Sequence, residues 1–318
     1  MPGVAGDPGC VRAVIEQAPL LGQILAVLSA TAFAFANVCI SRTRTSGGDK
    51  GVMFSVLVTV GLSATLWLAI EVPRYGTPSL EGEAHALGMF VLAGLLAMVF
   101  GRTLVFESIR RLGVSRSTSV KRLNPFFSVI LATILLAEPF TRLDGLGMVA
   151  IALAFVLLIR DSVRSRGAVL ADVPPPRDYL FGVFAALAYG SAYVARKVGL
   201  NEMGAPTFGT FVSAASGFAA YAVLAVIWPR YRANFKGMFR HLDKWIVIGA
   251  VMVSLGQILM FSALAYEDVS TVVMIASLEI FIAIFLSVVV FRSERLPGVA
   301  ILLAAALAMA GVVLVAAG

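Results

Sequence analysis

Charged and amide side chains interrupt long apolar stretches of the sequence. Glu279 lies within the apolar run Val269–Phe291, roughly 15 Å along a helix from its start. Asn124 has a similar depth in Ser117–Ala137. A charge at the bilayer centre costs about 2.5–3.5 kcal/mol, so it usually faces a cavity or a partner. Glu279 is therefore predicted to bind a cationic group or a proton; the alternatives are a structural hydrogen bond between helices and an ion pair with Lys121.

Basic residues precede Asn124 by about one helical turn. Lys121 and Asn124 are three residues apart and share a helix face, and Arg122 lies between them. Arg102 lies in the preceding apolar run, and Gln257 occupies the corresponding place in the second half of the chain. These cations are predicted to form a positive vestibule that attracts carboxylate or phosphate groups. For Arg102 and Arg122, snorkelling to the membrane interface is an equal alternative.

Two stripes of polar and aromatic side chains follow the helical period. Gln23 and Asn37 fall on one helix face, and Tyr189 and Tyr193 lead at the same spacing to Arg196. Such stripes suit an amphipathic substrate, although an aromatic belt or core packing explains the tyrosines equally well. No catalytic residue is predicted, and the predicted substrate-binding set is Gln23, Asn37, Arg102, Lys121, Arg122, Asn124, Tyr189, Tyr193, Gln257 and Glu279.

The composition indicates the solvent in which these side chains work. The chain has 318 residues, of which 59% are hydrophobic and only 14% charged, with a mean hydropathy of +0.93. A water-soluble fold of this length cannot bury so much apolar surface, whereas a bilayer covers it. The net charge of +7 comes mainly from short loops between apolar runs, so nucleic acid is not a predicted partner. The isolated cysteines and histidines predict no disulfide, metal site or cofactor.

Ten apolar segments are long enough to cross a bilayer, and lipid leaves such segments no alternative to the helix. The sequence thus predicts an all-α polytopic membrane protein. A tail (residues 1–19) precedes the first five helices (20–159), and a charged, proline-containing linker (160–178) leads to the last five (179–318). The ten segments are Leu20–Ser41, Met53–Val72, Ala86–Phe106, Ser117–Ala137, Leu143–Ile159, Tyr179–Val198, Phe208–Trp228, Trp245–Tyr266, Val269–Phe291 and Pro297–Ala317.

The two halves of the chain resemble each other. The segment GRTLVFESIRRLGVSRSTSVKRLNPFFSVIL from Gly101 aligns without gaps with GQILMFSALAYEDVSTVVMIASLEIFIAIFL from Gly256, which pairs Asn124 with Glu279. Near the start of each half, FAFANVCISR matches LAYGSAYVAR. Because each copy has five helices, the second must insert upside down relative to the first. We therefore predict two inverted five-helix repeats, with a site at their interface near the midplane.

Basic residues concentrate in the loops after spans one, three, five, seven and nine, whereas the opposite side, which includes both termini, carries few. The positive-inside rule therefore predicts a multi-pass protein of the plasma (inner) membrane with the odd-numbered loops in the cytoplasm and both termini outside. Small residues at Ala300, Ala304, Ala308 and Gly311 line one face of span ten. They predict close helix packing within the monomer, with a homodimer as the alternative.

The pattern Asn124-Pro125, followed by Ala137-Glu138-Pro139, resembles the EamA-like branch of the drug/metabolite transporter superfamily. The second half repeats it at Glu279-Ile280 and Glu294, with isoleucine in place of proline. The resemblance implies a basket of helices around a central cavity, with the fifth and tenth spans at the periphery. It also implies alternating access by rocking of the two halves.

These observations predict a secondary-active transporter, acting as an exporter, of a small polar or amphipathic metabolite such as an amino acid or organic anion. The proton is the candidate coupling ion. The alternatives are a non-transporting membrane scaffold or sensor and a membrane-embedded enzyme. An enzyme is disfavoured because the sequence shows no nucleophile–base pair or metal cluster, and residues 47–51 lack the spacing of a phosphate-binding loop.

Overall fold

The apolar runs of the sequence form helices. The computed structural model describes residues 19–42, 50–77, 83–112, 117, 120–165, 175–239, 242–291 and 298–317. Within these ranges the regular structure is helical throughout, and eight helices are long and apolar enough to cross a membrane. Two further predicted spans fall on a shorter helix of 12 residues and on a helix of 24 residues. A total of ten crossings stays a prediction.

We number the helices by the predicted spans. They are α1 (Pro19–Ser41), α2 (Lys50–Leu66, continued by π-helical Trp67–Glu71 and by Val72–Tyr75), α3 (Ala84–Gly94, π-helical Leu95–Gly101 and Arg102–Leu112), α4 (Asn124–Leu135), α5 (Arg142–Ser165), α6 (Pro176–Met203), α7 (Pro206–Ile227), α8 (Lys244–Tyr266), α9 (Val269–Ala276 and Glu279–Phe285, continued by π-helical Leu286–Val290) and α10 (Val299–Ala316). A short helix, Pro229–Gly237, connects α7 to α8.

Two helices differ from the sequence prediction because they are interrupted. A turn at Arg122–Leu123 precedes α4, and a turn at Ser277–Leu278 divides α9. Pro125 explains the first turn, since proline has no N–H to donate and clashes with the carbonyl group four residues earlier. No proline is present in α9, where the Ser277 hydroxyl instead donates to the Met274 carbonyl at 2.6 Å. The hydropathy of the two predicted spans did not indicate these turns.

Other helices run further than the hydropathy of their sequences indicated. Helix α3 continues to Leu112 and α5 to Ser165, so Arg110, Arg111 and Arg160 lie in helices rather than in loops. Arg111 donates to Asp178 at 3.0 Å, which joins the end of α3 to the start of α6. Charged residues at the ends of membrane helices reach the interface along their own stems, so they extend a helix without entering the lipid core.

The small residues of α10 pack against α5. Ala304 and Ala308 are fully buried, and a Cβ atom on Gly147 of α5 would lie 2.5 Å from the Gly311 carbonyl oxygen. Backbones approach this closely only where side chains are absent or small. The stripe therefore serves packing within the chain, as its spacing indicated.

Helix ends from the two halves meet at one end of the bundle, where α2, α4, α6 and α8 end and α1, α3, α7 and α9 begin; we call it the even-loop face. Here Glu71, at the end of α2, accepts hydrogen bonds from the Thr207 and Phe208 N–H groups at 2.7 and 3.2 Å. These are free donors of the first turn of α7, and the helix dipole favours a carboxylate there. Glu71 thus ties α2 to α7.

A second carboxylate does the same for α4 and α9. Glu138 accepts from the Val269 N–H at 2.8 Å, from the Ser270 N–H at 3.1 Å and from the Ser270 hydroxyl at 2.8 Å. Ala137, directly before it, has a φ of 54°, a left-handed conformation that alanine adopts at a cost. The chain therefore accepts local strain where it directs this carboxylate onto α9.

A third contact at the even-loop face involves Gln23, near the start of α1. Its amide donates to Glu267 Oε1 at 3.4 Å and to the Ala316 carbonyl at 3.3 Å. Glu267 lies between α8 and α9, and Lys197 donates to its backbone carbonyl at 2.9 Å. Burial raises the pKa of the Glu267 carboxyl above its ordinary value of 4.5, and the Asp268 charge adds to the rise, although the bond from Gln23 opposes it.

Replacing Glu267 by glutamine should therefore remove a pH-dependent part of the stability. A carboxyl with a raised pKa stabilises the folded state below about pH 4.5, and this contribution is lost as the pH rises through the raised value. The melting temperature of Glu267→Gln minus that of the native chain should grow from pH 4.5 to pH 8. Differential scanning fluorimetry of both purified proteins measures this, and a difference that stays constant across the range contradicts it.

Candidate functional site

The two helix interruptions bring the paired polar residues to the first turns of two half-helices. Asn124 begins α4 and Glu279 begins the second segment of α9, each directly after its turn. Glu279 Oε1 accepts a hydrogen bond from Asn37 Nδ2 of α1 at 2.5 Å. In α4, the Ser128 hydroxyl donates to the Asn124 backbone carbonyl at 2.9 Å. Both residues of the predicted pair therefore occupy equivalent positions, with an amide of α1 bound to the acidic one.

Two of the predicted cations lie close to this pair. Lys121 Nζ lies 4.9 Å from the centroid of the Tyr189 ring, and Arg122 Cζ lies 5.4 Å from that of Phe155. Both act electrostatically on Glu279, but neither makes a direct ion pair with it in the described part of the chain. Arg122 Nε and Nη1 are buried and have no hydrogen-bond partner in the part of the chain that the structure describes. Both cations therefore act on the Glu279 carboxyl without contacting it, and Arg122 has N–H donors that no described residue binds.

The predicted tyrosines of α6 complete the cluster. Tyr193 interacts with the Asn124 side chain and lies within electrostatic reach of Glu279. Tyr189 packs against Gly101 of α3, where an added Cβ atom would approach its ring to 3.0 Å. Seven of the ten predicted residues are therefore neighbours; we call them the polar cluster, which comprises Asn37, Lys121, Arg122, Asn124, Tyr189, Tyr193 and Glu279.

The structure does not bring the other three predicted residues into this cluster. Gln23 lies at the even-loop face, where Glu267 and Ala316 hold its amide. Arg102 and Gln257 are half-buried, and no hydrogen bond or ring contact among the described residues joins them to the cluster. Arg102 Nη1 is buried, and no described residue forms a hydrogen bond with it. Substrate binding by these three residues stays a prediction.

Arg196 is a neighbour of the cluster that the predicted binding set left out. Its guanidinium carbon lies 5.2 Å from the Tyr193 ring centroid and 4.8 Å from that of Phe261. The predicted span Tyr179–Val198 contains Arg196, and α6 continues to Met203 and buries the residue. Its spacing, seven residues after Tyr189 and three after Tyr193, places it on the same helix face as the tyrosines and was the signal that pointed to it.

Comparison with known proteins identifies the family of the chain. No curated protein matches the chain. One solved structure, described as the crystal structure of a protein, superposes with a TM-score of 0.63 over 93% of this chain and 95% of that chain, at 17% identity. At that identity it shows the fold alone. The model of the EamA-like transporter family matches residues 20–160 and 177–317, one match for each half. The chain is therefore a multi-pass membrane protein that belongs to the EamA-like transporter family, within the drug/metabolite transporter superfamily.

Proposed function

We propose that this chain is a secondary-active transporter that exports a small polar or amphipathic metabolite, such as an amino acid or organic anion, across the plasma (inner) membrane. One observation carries the proposal: α4 and α9 are interrupted at equivalent positions, directly before Asn124 and Glu279. Interrupted helices that present polar groups near the midplane are a recurrent way of building transporter sites. A matched pair of such interruptions favours a transporter over a scaffold, a sensor or an enzyme.

The contacts between helix ends support two inverted repeats. Helices α2 and α7 are the second helices of their halves, and α4 and α9 are the fourth. In each pair, a carboxylate at the end of the first-half helix binds the start of the second-half helix. When the end of one helix meets the start of its neighbour at the same face, the two helices run in opposite directions. Equivalent helices of the two halves must do so if each half has five spans, because an odd number inverts the second copy. The odd-numbered loops would then lie together, in the cytoplasm by the positive-inside rule.

The same contacts favour alternating access. The carboxylates of Glu71 and Glu138, together with the amide of Gln23, join the two halves at the even-loop face. Rocking of one repeat against the other would have to break these bonds to open that face. Buried hydrogen bonds to charged groups are worth about 1.5–3 kcal/mol each, so the two states would differ by discrete contacts rather than by gradual bending.

The charges of the polar cluster support a polar substrate. Glu279 is its acidic residue, and Asn37 fixes one of its carboxyl oxygens, which leaves the other for an ammonium group or a proton. Lys121 and Arg122 provide cations within electrostatic reach of Glu279. A substrate with a cationic and an anionic group would pair with Glu279 through the first and with Lys121 and Arg122 through the second. Protonation of Glu279 would provide a step that couples transport to the proton.

Flux into proteoliposomes tests the proposal. Wild type should show saturable uptake of at least one radiolabelled compound from a panel of amino acids, dicarboxylates and amines. Glu279→Gln should lower the initial rate at least about tenfold, because it removes a charged hydrogen-bonding group from the site. The matched control is Glu202→Gln, which neutralises an exposed carboxyl that binds only His85 among the described residues. Absence of saturable uptake, or equal rates for Glu279→Gln and wild type, contradicts the mechanism.

A further inference from the structure

Arg196 is a buried cation that forms no ion pair with an acidic residue in the described part of the chain. Arg196 is 4% exposed, its guanidinium lies close to the Tyr193 and Phe261 rings, and its Nε has no hydrogen-bond partner among the described residues. A buried donor without an acceptor costs about 1–3 kcal/mol, and more when the group is charged. Rings stabilise a cation through their faces but accept no strong hydrogen bond from its edge. Among the described residues, Nε at the edge of this guanidinium therefore lacks an acceptor.

The corresponding arginine of the first half shows that ring stacking does not prevent such a bond. Arg42 aligns with Arg196 in the repeat, and its Cζ lies 5.1 Å from the Trp245 ring centroid and 4.6 Å from that of Phe291. Nevertheless, Arg42 Nη2 donates to the Phe291 carbonyl at 2.8 Å. Two aromatic neighbours and a hydrogen bond are thus compatible, so the unpartnered state of Arg196 needs another explanation.

Acceptors around Lys197, the residue that follows Arg196, are bound by other groups. Lys197 donates to the Leu264 and Glu267 carbonyls at 3.0 and 2.9 Å. Glu138, a buried carboxylate at this end of the bundle, is occupied by backbone donors of α9. The described part of the chain thus places the local acceptors elsewhere, and a guanidinium in this setting suits an acceptor that comes from outside.

The position of Arg196 connects it to the polar cluster. Tyr193, a member of the polar cluster that lies close to Asn124, also stacks on its guanidinium, so the cation borders the cluster directly. The planar guanidinium fork binds a carboxylate through two parallel hydrogen bonds. We propose that Arg196 binds a carboxylate group of the transported metabolite, which makes the substrate a carboxylate-bearing compound. This assignment rests on the transport function proposed above and names its substrate class.

Binding of carboxylate probes to the purified full chain tests the assignment without any flux. Thermal unfolding is titrated with acetate, succinate and citrate, and separately with inorganic phosphate, at an ionic strength held constant with sodium chloride. At least one carboxylate should raise the melting temperature of wild type. Arg196→Met should weaken the apparent affinity about 10- to 100-fold, and Arg196→Lys, which keeps the charge but not the fork, should weaken it less.

Arg42→Met is the matched control, because it removes an arginine with the same two-ring stacking and leaves Arg196 intact. It should keep the affinity of wild type. Arg196→Met should fold, since replacing a buried unpaired charge by an apolar side chain is often neutral or stabilising.

The outcomes separate this assignment from the proposed transport function. Equal affinity of wild type and both Arg196 variants overturns the assignment, as does stabilisation by phosphate alone or by no probe. Arg196-dependent carboxylate binding without saturable flux of any compound would uphold the assignment as a binding site and overturn transport. Saturable flux of amines alone, unaffected by Arg196→Met, would uphold transport and overturn the carboxylate assignment.

Discussion

Replacing Glu138 by alanine is expected to lower the free energy of unfolding by about 3 kcal/mol or more. The carboxylate is 7% exposed and accepts from three donors on Val269 and Ser270. Alanine would leave all three donors at the buried start of α9 without this acceptor, and would remove a negative charge from a helix N-terminus. Denaturant or thermal unfolding of the purified variant measures the loss.

A milder change at the same residue separates closure of the even-loop face from stability. Glu138→Gln keeps the shape, but its amide nitrogen turns a donor toward the donors of α9, so this cap weakens. We expect Glu138→Gln to increase labelling of a Ser277→Cys reporter by a membrane-impermeant maleimide added at the even-loop face, in a chain without its native cysteines. Ser277 is buried beside the interruption of α9, so its labelling reports opening of the bundle.

Glu202→Gln is the control for this experiment, because Glu202 lies at the same face but is exposed and binds only His85 among the described residues. It should change neither the stability nor the labelling by a measurable amount, as exposed ion pairs are worth about 0–1 kcal/mol. Stability and labelling in Glu138→Gln that match those of Glu202→Gln would show that the Glu138 contact does not hold this face closed.

The second large effect is expected at Gly94 of α3. A Cβ atom built there would overlap the Ser213 carbonyl oxygen and the Ser216 hydroxyl of α7. The hydroxyl can rotate away, but the carbonyl belongs to the α7 backbone and moves only if the helices separate. Gly94→Ala should therefore destabilise the protein by about 3 kcal/mol, at the upper end of ordinary overpacking costs.

Gly88 provides the matched control within the same helix. A Cβ atom added there meets nothing within 4 Å. Gly88→Ala should leave stability unchanged or raise it by about 0.5–1 kcal/mol, because alanine favours the helix over the unfolded chain. Chemical unfolding of both variants in the same detergent compares them directly, and equal stabilities would contradict the close approach of α3 and α7.

The sequence predicted the helices better than it predicted their ends and breaks. Hydropathy located the long helices because apolar length is a local property that the bilayer selects. The interruption of α4 was readable from Pro125, but that of α9 was not, since Ile280 stands at the equivalent position. The equivalence of Asn124 and Glu279 followed from the repeat alignment, and polar residues within the spans supplied the seven predicted residues that the structure brings together.

The sequence by itself determined an all-helical membrane chain with two similar halves, a family, and an equivalent pair of polar residues within the spans. Only the tertiary structure decided which groups those residues meet: Asn37 on Glu279, Glu138 on the start of α9, Gln23 at the even-loop face and Arg196 between two rings. The physical reason is distance along the chain. Helical period and hydropathy are set by residues a few positions apart, whereas each of these contacts, except that of Arg196 with Tyr193, joins helices far apart in sequence through packing that no local pattern records.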